Sequence, residues 1–282
     1  MPSFSVIIPC YNQAHFLPTA VESVLAQGVD AEVVVVDDGS HDDTSTVAKR
    51  LGVRTVRQAN AGLSAARNRG ILESSGDHLL FLDSDDFLRP RMLQAAAEAL
   101  DAHPAVDVLH GVADAVDERT LETKMTFGER DLGTDPFHSL LGGNVAPPCA
   151  FVMRRDLLPT VGLFDTTLRS AEDWDMWLRV ASVGGTFLHV PAMRSAYRDV
   201  AGSMSKNSEV MWRSISTVAA RHAATHQDCA ECRRRAAAVR AKAARSMRSR
   251  FARNLRASGD RRAAMTTLAR NPGLAMRMLK AA

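Results

Sequence analysis

The sequence lacks the features that mark several classes of protein. No apolar run approaches the ~18 residues that a membrane-spanning helix needs, and no basic segment precedes the apolar N-terminal run, so we expect neither a span nor a secretory signal. Four cysteines in 282 residues are too few for a disulfide scaffold and suit a reducing cytosol. We therefore expect a cytoplasmic protein, with the inner face of the membrane as the one membrane location left open.

The charge of the chain is unevenly distributed, although its formal net value is only +3. Residues 1–204 carry 17 Lys/Arg and 28 Asp/Glu, a balance of −11, whereas residues 205–282 carry 18 and 4, a balance of +14. The composition therefore changes near residue 205. We expect one large domain over residues 1–204 and a basic helical extension over residues 205–282.

Three short apolar runs in the first hundred residues predict buried strands, because no polar alternation interrupts them. They are Phe4–Ile8, Glu32–Val36 and Leu79–Leu82, and Val53–Val56 is predicted as a further strand. Pro9 is expected to stop the first of these strands. Helical spacing of apolar residues separates the runs, so the sequence predicts right-handed βαβ units and a doubly wound sheet.

Polar clusters follow three of the predicted strands, at residues 9–12, 37–40 and 83–86. Ligands of open α/β sheets bind at the carboxyl ends of the strands, so these clusters are expected to converge on one edge. A single acid in such a place is usually a helix cap or a turn residue, but three clusters in the same position indicate a binding site.

The pair Asp83 and Asp85, with Asp86 beside it, is the most concentrated anionic group among these clusters. Carboxylate oxygens suit Mg²⁺ or Mn²⁺, and such an ion bridges carboxylates to the phosphates of a substrate. The ion would stabilise the charge that grows on a departing diphosphate. The alternative interpretation is an acidic, solvated turn.

Two other nucleotide-dependent classes fail at the loop after the first strand. A dinucleotide site that used Asp37 and Asp38 for the ribose would need G-x-G-x-x-G there, and the loop reads PCYNQ. A nucleotidyltransferase would be expected to show a glycine-rich loop with a lysine, which is absent as well. Both classes are therefore disfavoured.

Five segments together resemble family 2 glycosyltransferases with the GT-A fold. They are VIIPCYNQ, VVVVDDGSHDDT, NAGLSAARNRG, LLFLDSDD and AEDWDMWLR, and the resemblance covers roughly residues 3–205. It implies the fold class α/β, a GT-A type nucleotide-binding doubly wound mixed sheet, followed here by an α-helical C-terminal tail.

The resemblance implies a site for the nucleobase. Pro9 and Tyr11 would line the base pocket, with Asn12 in the same nucleotide-binding loop. Asp38 would accept a hydrogen bond from the imino N–H of a uracil-like base.

The resemblance also implies a site for the rest of the nucleotide. Gly62 and Arg67 would border the base and the diphosphate, Asp83 would reach the ribose side with Ser84 next to it, and Asp85 would bind the metal ion.

The catalytic base is expected at the start of a predicted helix, Glu172–Val183. An inverting transfer needs a carboxylate that takes the proton of the acceptor hydroxyl while that oxygen attacks the anomeric carbon. The resemblance assigns this role to Asp173, and Glu172 would orient the base or bind acceptor. Trp174 would offer aromatic surface to the acceptor. The alternative is that the acids only complement the helix dipole.

One departure from the family pattern lies after Tyr197 and Arg198. Related sequences often carry a histidine there, and this chain has Asp199. Metal coordination or loop closure by a histidine at this position is therefore not expected, and Arg198 is expected to contact phosphate instead.

The tail predicts a basic amphipathic helix over Arg234–Arg256. Its apolar residues recur every four positions, at Val239, Ala243, Met247, Phe251 and Leu255. Such a helix binds an anionic membrane surface or an acidic partner, or packs its apolar stripe on the first domain or on a neighbouring helix. We expect no nucleic-acid partner, because aromatic residues are almost absent from the tail.

Four potential metal ligands lie just before this helix: His222, His226, Cys229 and Cys232. Zinc uses these residue types. The longer loop that usually separates two ligand pairs is missing, so solvated or packed helix residues are the alternative.

The resemblance and the intact acids together predict an inverting, metal-dependent glycosyltransferase. It would move a sugar from a UDP- or dTDP-linked donor to a hydroxyl of a glycan or a lipid-linked acceptor. The alternative is a non-catalytic protein that binds sugar nucleotides or acts as a scaffold, which loss of Asp85 or Asp173 would indicate, and both are present.

Overall fold

The computed structural model describes residues 2–226 and 228–258, and of residues 251–258 the backbone alone. The chain divides into two compact units, Met1–Ser203 and Met204–Ala282. The described part of the first unit contains a sheet with helices, and that of the second contains a pair of helices.

In the described part of the first unit, nine strands form one mixed sheet. They are β1 (Phe4–Cys10), β2 (Ala31–Asp37), β3 (Arg54–Arg57), β4 (His78–Phe81), β5 (Phe87–Leu88), β6 (Val108–Asp117), β7 (Thr123–Phe127), β8 (Phe151–Arg154) and β9 (Phe187–Asp199). Their order is β3-β2-β1-β4-β8-β6-β9-β5, and β7 pairs with β6. The expected α/β fold with a mixed sheet is confirmed.

The α-helices of the described residues alternate with strands, and the last two follow β9. They are α1 (Leu17–Leu25), α2 (Thr44–Arg50), α3 (Leu63–Leu72), α4 (Met92–Ala102), α5 (Pro136–Leu141), α6 (Leu158–Val161), α7 (Glu172–Ser182), α8 (Ser208–Ala224) and α9 (Ala230–Ser258).

Strands β3, β2, β1 and β4 are parallel neighbours, and each overlaps one of the four predicted strands. Their central residues, such as Ile7, Val35 and Leu80, have no exposed surface. Helices cover both faces of a parallel sheet, which is why β1, β2 and β4 are mainly apolar, whereas the edge strand β3 carries exposed Arg54 and Arg57. The carboxyl ends of β1, β2 and β4 therefore lie at one edge.

The expectation that Pro9 stops the first strand is wrong. Strand β1 continues to Cys10, and Pro9 pairs with Val36 of β2. The ladder between β1 and β4 has already ended at Ile7, so Pro9 has a neighbouring strand on one side only. A residue without an N–H is tolerated where one ladder is missing.

Gly111 allows β9 to bulge against β6. Their register moves from His110 opposite His189 to Val112 opposite Arg194. A Cβ atom at Gly111 would lie 2.2 Å from the carbonyl oxygen of Met193, so a larger residue does not fit. Beyond the bulge, β9 runs between β6 and β5 and ends beside the loop that follows β4.

Helix α3 lies unusually close to β1. A Cβ atom at Gly70 would lie 2.3 Å from Cγ2 of Ile7, so the glycine permits the contact. Arg67, one turn earlier on α3, is only 1% exposed. The close packing of the helix brings this arginine under the edge of the sheet.

In the second unit, α8 packs against α9. The buried positions of α9 follow mixed spacings of three to five, at Cys232, Ala236, Val239, Ala244 and Met247. The predicted spacing of four, which used Ala243, is therefore wrong, because 3.6 residues per turn moves a strict four-residue stripe around the helix. The side chains of Phe251 and Leu255 lie outside the described residues.

The packing of α8 on α9 favours one of the alternatives for the tail, a stripe that packs on a neighbouring helix. The predicted zinc ligands lie at the junction of the two helices: His222 is buried, and His226 Nδ1 lies 3.6 Å from Cys232 Sγ. Among residues 2–226 and 228–258, no helix combines the length and the apolar character that crossing a bilayer requires.

Candidate active site

The loops after β1 and β2 are joined by hydrogen bonds. The backbone N–H of Asn12 donates to Ser40 Oγ (3.0 Å), and His41 N–H donates to Asn12 Oδ1 (2.8 Å). This arrangement leaves Tyr11 43% exposed, while Pro9 is buried in β1. Tyr11 is thus free to contact a base, and Pro9 belongs to the sheet beneath the loop.

Asp38 connects the end of β2 to the start of α3. Its Oδ1 accepts from Gln58 Nε2 (2.8 Å) and Ala61 N (2.9 Å), and its Oδ2 accepts from Gly62 N (2.8 Å). Gly62 has φ of +91°, a conformation that favours glycine. The carboxylate predicted to bind the base therefore also fixes the turn from which α3 begins.

The neighbouring acid, Asp37, has a structural role. It is fully buried and accepts from Ser40 N (2.8 Å) and Arg57 Nη1 (2.9 Å), as well as from Ser45. Burial alone would raise its pKa, but the hydrogen bonds of Ser45 and Ser40 and the charge of Arg57 lower the pKa below its usual value. Asp37 therefore remains ionised beneath the loop.

The loop after β4 carries the two predicted metal-site acids. The side chain of Asp83 is 25% exposed, and that of Asp85 accepts from Gln13 Nε2 (3.2 Å). Burial, together with the charge of Asp83, raises the pKa of Asp85 to about 6. Ser84, expected among the nucleotide-binding residues, is 1% exposed, and its hydroxyl donates to Gln13 Oε1, so this side chain supports the loop.

Asp86 and Arg198 hold the same loop from the side of β9. Asp86 is 1% exposed and accepts from the backbone N–H of Arg198 (2.8 Å). Burial and the charges of Asp85 and Asp83 raise the pKa of Asp86 well above its usual value. Arg198 donates from Nε to the carbonyl oxygen of Asp85 (2.7 Å), and its guanidinium lies over the Phe16 ring.

The expectation that Arg198 contacts phosphate is therefore corrected. The residue is 7% exposed, and its guanidinium is used by the carbonyl group of Asp85 and by the Phe16 ring. Burial of a guanidinium requires such partners, because an unpaired charge is costly away from water. Arg198 therefore supports the loop that carries Asp85.

Arg67 links the loop after β4 to the start of α7. Its Nη2 donates to Asp83 Oδ1 (2.6 Å), and its Nη1 donates to Glu172 Oε1. Burial alone would lower the pKa of Arg67, but Asp83 and Glu172 raise it, so the guanidinium stays charged. The predicted contact of Arg67 with the diphosphate is corrected, because a side chain that is 1% exposed offers no surface to a ligand.

The acids at the start of α7 occupy different environments. Glu172 pairs with Arg67, whereas Asp173 Oδ2 accepts from Asn144 Nδ2 (2.8 Å). Burial, together with the charge of Glu172, raises the pKa of Asp173 to about 7, against the opposing effect of Arg67. A carboxyl group that titrates near neutral pH can accept a proton from a substrate hydroxyl and release it again.

The expected role of Trp174 in acceptor binding is wrong. Trp174 is 1% exposed, and its Nε1 donates to the carbonyl oxygen of Leu140 (2.7 Å). Trp177 is fully buried and stacks on Phe151, with 4.4 Å between ring centroids. An aromatic ring presents a face to a sugar only when it is exposed, and on this helix both indoles belong to the core.

The residues at this edge fit a divalent cation. Asp83 and Asp85 are partly exposed, and the charge of Asp83 raises the pKa of Asp85, so the two carboxylates repel each other. A cation between them relieves that repulsion, and carboxylate oxygens are the ligands that Mg²⁺ and Mn²⁺ prefer.

Two residues of the site were not predicted from the sequence. Gln13 joins the first polar loop to Ser84 and Asp85, and Asn144 binds Asp173. Gln13 lies within the segment VIIPCYNQ, so its place beside Asn12 was a usable signal. Asn144 lies in an irregular stretch where no pattern pointed to it.

The chain is similar in sequence to known proteins. Residues 5–162 match the sequence profile of the family described as Glycosyl transferase family 2. The chain is similar to an uncharacterized glycosyltransferase of Rickettsia typhi, with 30% identity over 213 residues that cover 70% of this chain and 65% of the relative. It is also similar to one of Nostoc sp., with 34% identity over 61% of this chain and 56% of the relative. The chain thus spans less than two thirds of each relative.

Two solved structures have a similar fold. One is S. aureus TarS 1–349 in complex with UDP-GlcNAc, which has 23% identity, a TM-score of 0.62 and coverage of 77% of this chain and 66% of TarS 1–349. The other is the mannosyltransferase PcManGT from Pyrobaculum calidifontis in complex with GDP-Man and Mn²⁺. It has 20% identity, a TM-score of 0.64 and coverage of 98% of this chain and 81% of that protein.

Arg67→Met should destabilise the chain strongly, because it leaves Glu172 buried without its counter-charge. We expect the free energy of unfolding to fall by ~3–5 kcal/mol, the usual effect of removing one partner of a buried pair. Urea unfolding at pH 7 measures it. The control is Arg69→Met on the same helix, whose exposed pair with Glu73 should be worth less than ~1 kcal/mol. Equal losses in the two variants would contradict the bridging role.

Proposed function

This chain belongs to glycosyl transferase family 2, and from that premise we propose that it transfers a sugar from a nucleotide-sugar donor to a hydroxyl group of an acceptor. The observation that carries the proposal is the bridge of Arg67. This one side chain donates both to Asp83 after β4 and to Glu172 at the start of α7, so the two groups of acids lie close together. A donor site and a base must lie this close together for a transfer between two substrates.

The donor proposed is UDP- or dTDP-linked. Asp38 would accept from the imino N–H of such a base at the acceptor position that its three hydrogen bonds to the chain leave, and exposed Tyr11 would offer a ring face. Asp83 would reach the ribose, and Asn12 and Gly62 would shape the backbone around the nucleotide. Two proteins of similar fold were solved with nucleotide sugars, one of them with Mn²⁺.

Asp85, with Asp83 beside it, would hold Mg²⁺ or Mn²⁺. When bound, the ion neutralises charge on the diphosphate leaving group. The residues around it supply the geometry: Gln13 donates to Asp85, and Arg198 holds the Asp85 carbonyl group. The acids are therefore held before the ion arrives, which lowers the cost of binding it.

Asp173 is the proposed base of an inverting transfer. Its carboxylate would take the acceptor hydroxyl's proton as that oxygen attacks the anomeric carbon on the face opposite the diphosphate. Glu172 would set the environment of the base through Arg67. The proposed acceptors are a glycan or a lipid-linked saccharide.

Asp85→Asn should weaken UDP binding in the presence of Mn²⁺ by at least ~10-fold, because it removes a charged ligand of the ion. Calorimetric titration with UDP, with and without Mn²⁺, measures the effect. Asp101→Asn, at an exposed position of α4, is the matched control and should bind like the wild type. Mn²⁺-dependent affinity that survives in Asp85→Asn would refute the assignment.

Asp173→Asn should retain donor affinity and lose ~10²–10⁴-fold in transfer rate, the usual contribution of a positioned base. In the wild type, kcat/KM should fall as the pH drops below about 7, because a base works only when deprotonated and the pKa of Asp173 is raised to about 7. Initial rates over pH 5–9 measure the profile. If Glu172→Gln loses the rate and Asp173→Asn does not, the two roles are reversed.

The second unit is proposed to bind anionic membranes by charge, near the inner membrane face. Ten Lys/Arg and no acid lie between Cys232 and Gly259. The apolar stripe of α9 packs on α8. The basic residues of α9 that stay exposed, such as Arg240, Lys242 and Arg245, are therefore available to contact an anionic membrane surface. Each basic residue near an anionic surface contributes ~1 kcal/mol.

Co-sedimentation tests this contact with vesicles of phosphatidylcholine containing ~30% phosphatidylserine. We expect binding at low salt that high salt abolishes, and loss of binding in the triple variant R240E/K242E/R245E. Vesicles of phosphatidylcholine alone are the control. No binding at low salt, or equal binding to both vesicles, would contradict the proposal.

A further inference from the structure

Asn144 lies on the solvent side of the proposed base. It belongs to the loop between α5 and β8 and is exposed, whereas Asp173 is 9% exposed. Its Nδ2 donates to Asp173 Oδ2 (2.8 Å). The exposed amide therefore lies next to the carboxylate that an acceptor hydroxyl would have to reach.

The orientation of the Asn144 amide is fixed by a second hydrogen bond. Its Oδ1 accepts from the backbone N–H of Val145 (3.0 Å), and a backbone N–H can only donate. The amide nitrogen must therefore face the carboxylate, where it also can only donate. The reversed amide would set an oxygen against Asp173 and another N–H against the N–H of Val145.

The loop that carries Asn144 is anchored on both sides. Before it, the carbonyl oxygen of Leu140 accepts from Trp174 Nε1 (2.7 Å), and Trp174 is the residue after the proposed base. After it, the carbonyl oxygen of Val145 accepts from Gly128 N (2.9 Å). The buried indole thus ties the loop to the helix turn that carries Asp173.

We propose that Asn144 is a positioning residue for the transfer: it holds Asp173 through Oδ2 and so leaves Oδ1 to take the proton of the acceptor hydroxyl. This inference rests on the proposed function of Asp173 as the base. Asn144 itself exchanges no proton and acts through the carboxylate that it orients.

The contact also affects the proton affinity of the base. The charged groups that face Asp173 are Glu172, which raises its pKa, and Arg67, which lowers it. Burial is the largest cause of the raised pKa, and the hydrogen bonds from Asn144 and from the Trp174 backbone oppose it. Removal of the amide should therefore raise the pKa of Asp173 further.

The variant Asn144→Leu tests the proposal, because leucine has nearly the shape of asparagine and keeps water from replacing the amide. We expect kcat/KM at pH 7 to fall ~10-fold, the acid limb to move up by about one pH unit, and the rate at pH 9 to recover to within ~3-fold. UDP affinity should not change. Asn144→Asp, which sets a second carboxylate against the first, should lose more.

Two comparisons separate positioning from a structural role. On the Asp173→Asn background, Asn144→Leu should change the rate less than ~2-fold, because residues that act as a unit are not additive. Asn207→Ala removes the N-cap of α8 and should lower Tm without moving the acid limb. An acid limb that stays in place in Asn144→Leu, with equal loss at every pH, would overturn the inference.

A readout that needs no transfer keeps the two proposals separate. Carboxyl ¹³C NMR of aspartate-labelled protein, with the Asp173 signal assigned by its loss in Asp173→Asn, should titrate about one pH unit higher in Asn144→Leu. If the wild type transfers no sugar, the proposed function fails while this titration still decides the contact. An unchanged titration overturns the inference whatever the activity.

Discussion

The charge of Arg67 is the constraint on which the candidate site depends. Its guanidinium is buried, so it must be neutralised, and the two carboxylates that do so come from distant parts of the chain. Asp83 is 16 residues away in sequence and Glu172 is 105 away. The position of the loop after β4 therefore depends on the position of the start of α7, and the reverse also holds. Removal of the arginine would leave a buried, uncompensated charge, which costs more than the pair itself contributes.

Three side chains from different parts of the first unit hold the acids after β4. Gln13 contacts them from the loop after β1, Arg67 from α3 and Arg198 from β9. The last contact requires the bulge at Gly111, which lets β9 run beside β5. Such support fixes the carboxylates before a ligand arrives, and fixed ligands bind a cation with less loss of conformational freedom.

The sequence was informative where local pattern determines structure. Apolar runs predicted three of the four parallel strands, and the acids after them marked the edge that holds Asp83. The predicted ligand contacts of Arg198 and Trp174 were wrong. The family motif identifies a residue, but it does not say whether the side chain faces a ligand or the core. Gln13 contacts Ser84 and Asp85, which are 71 and 72 positions away in sequence. Asn144 contacts Asp173, which is 29 positions away, and no periodicity of the sequence encodes contacts of this kind.

The most direct test of the central claim, a metal-dependent transfer with inversion, needs no knowledge of the acceptor. Water can replace the acceptor slowly, so ¹H NMR can follow the sugar released from a UDP-α-linked hexose with Mn²⁺. The account predicts that the β-anomer appears first, before mutarotation, that chelation of the metal stops its release, and that Asp173→Asn abolishes it. First appearance of the α-anomer, or release that does not depend on metal, would contradict the account.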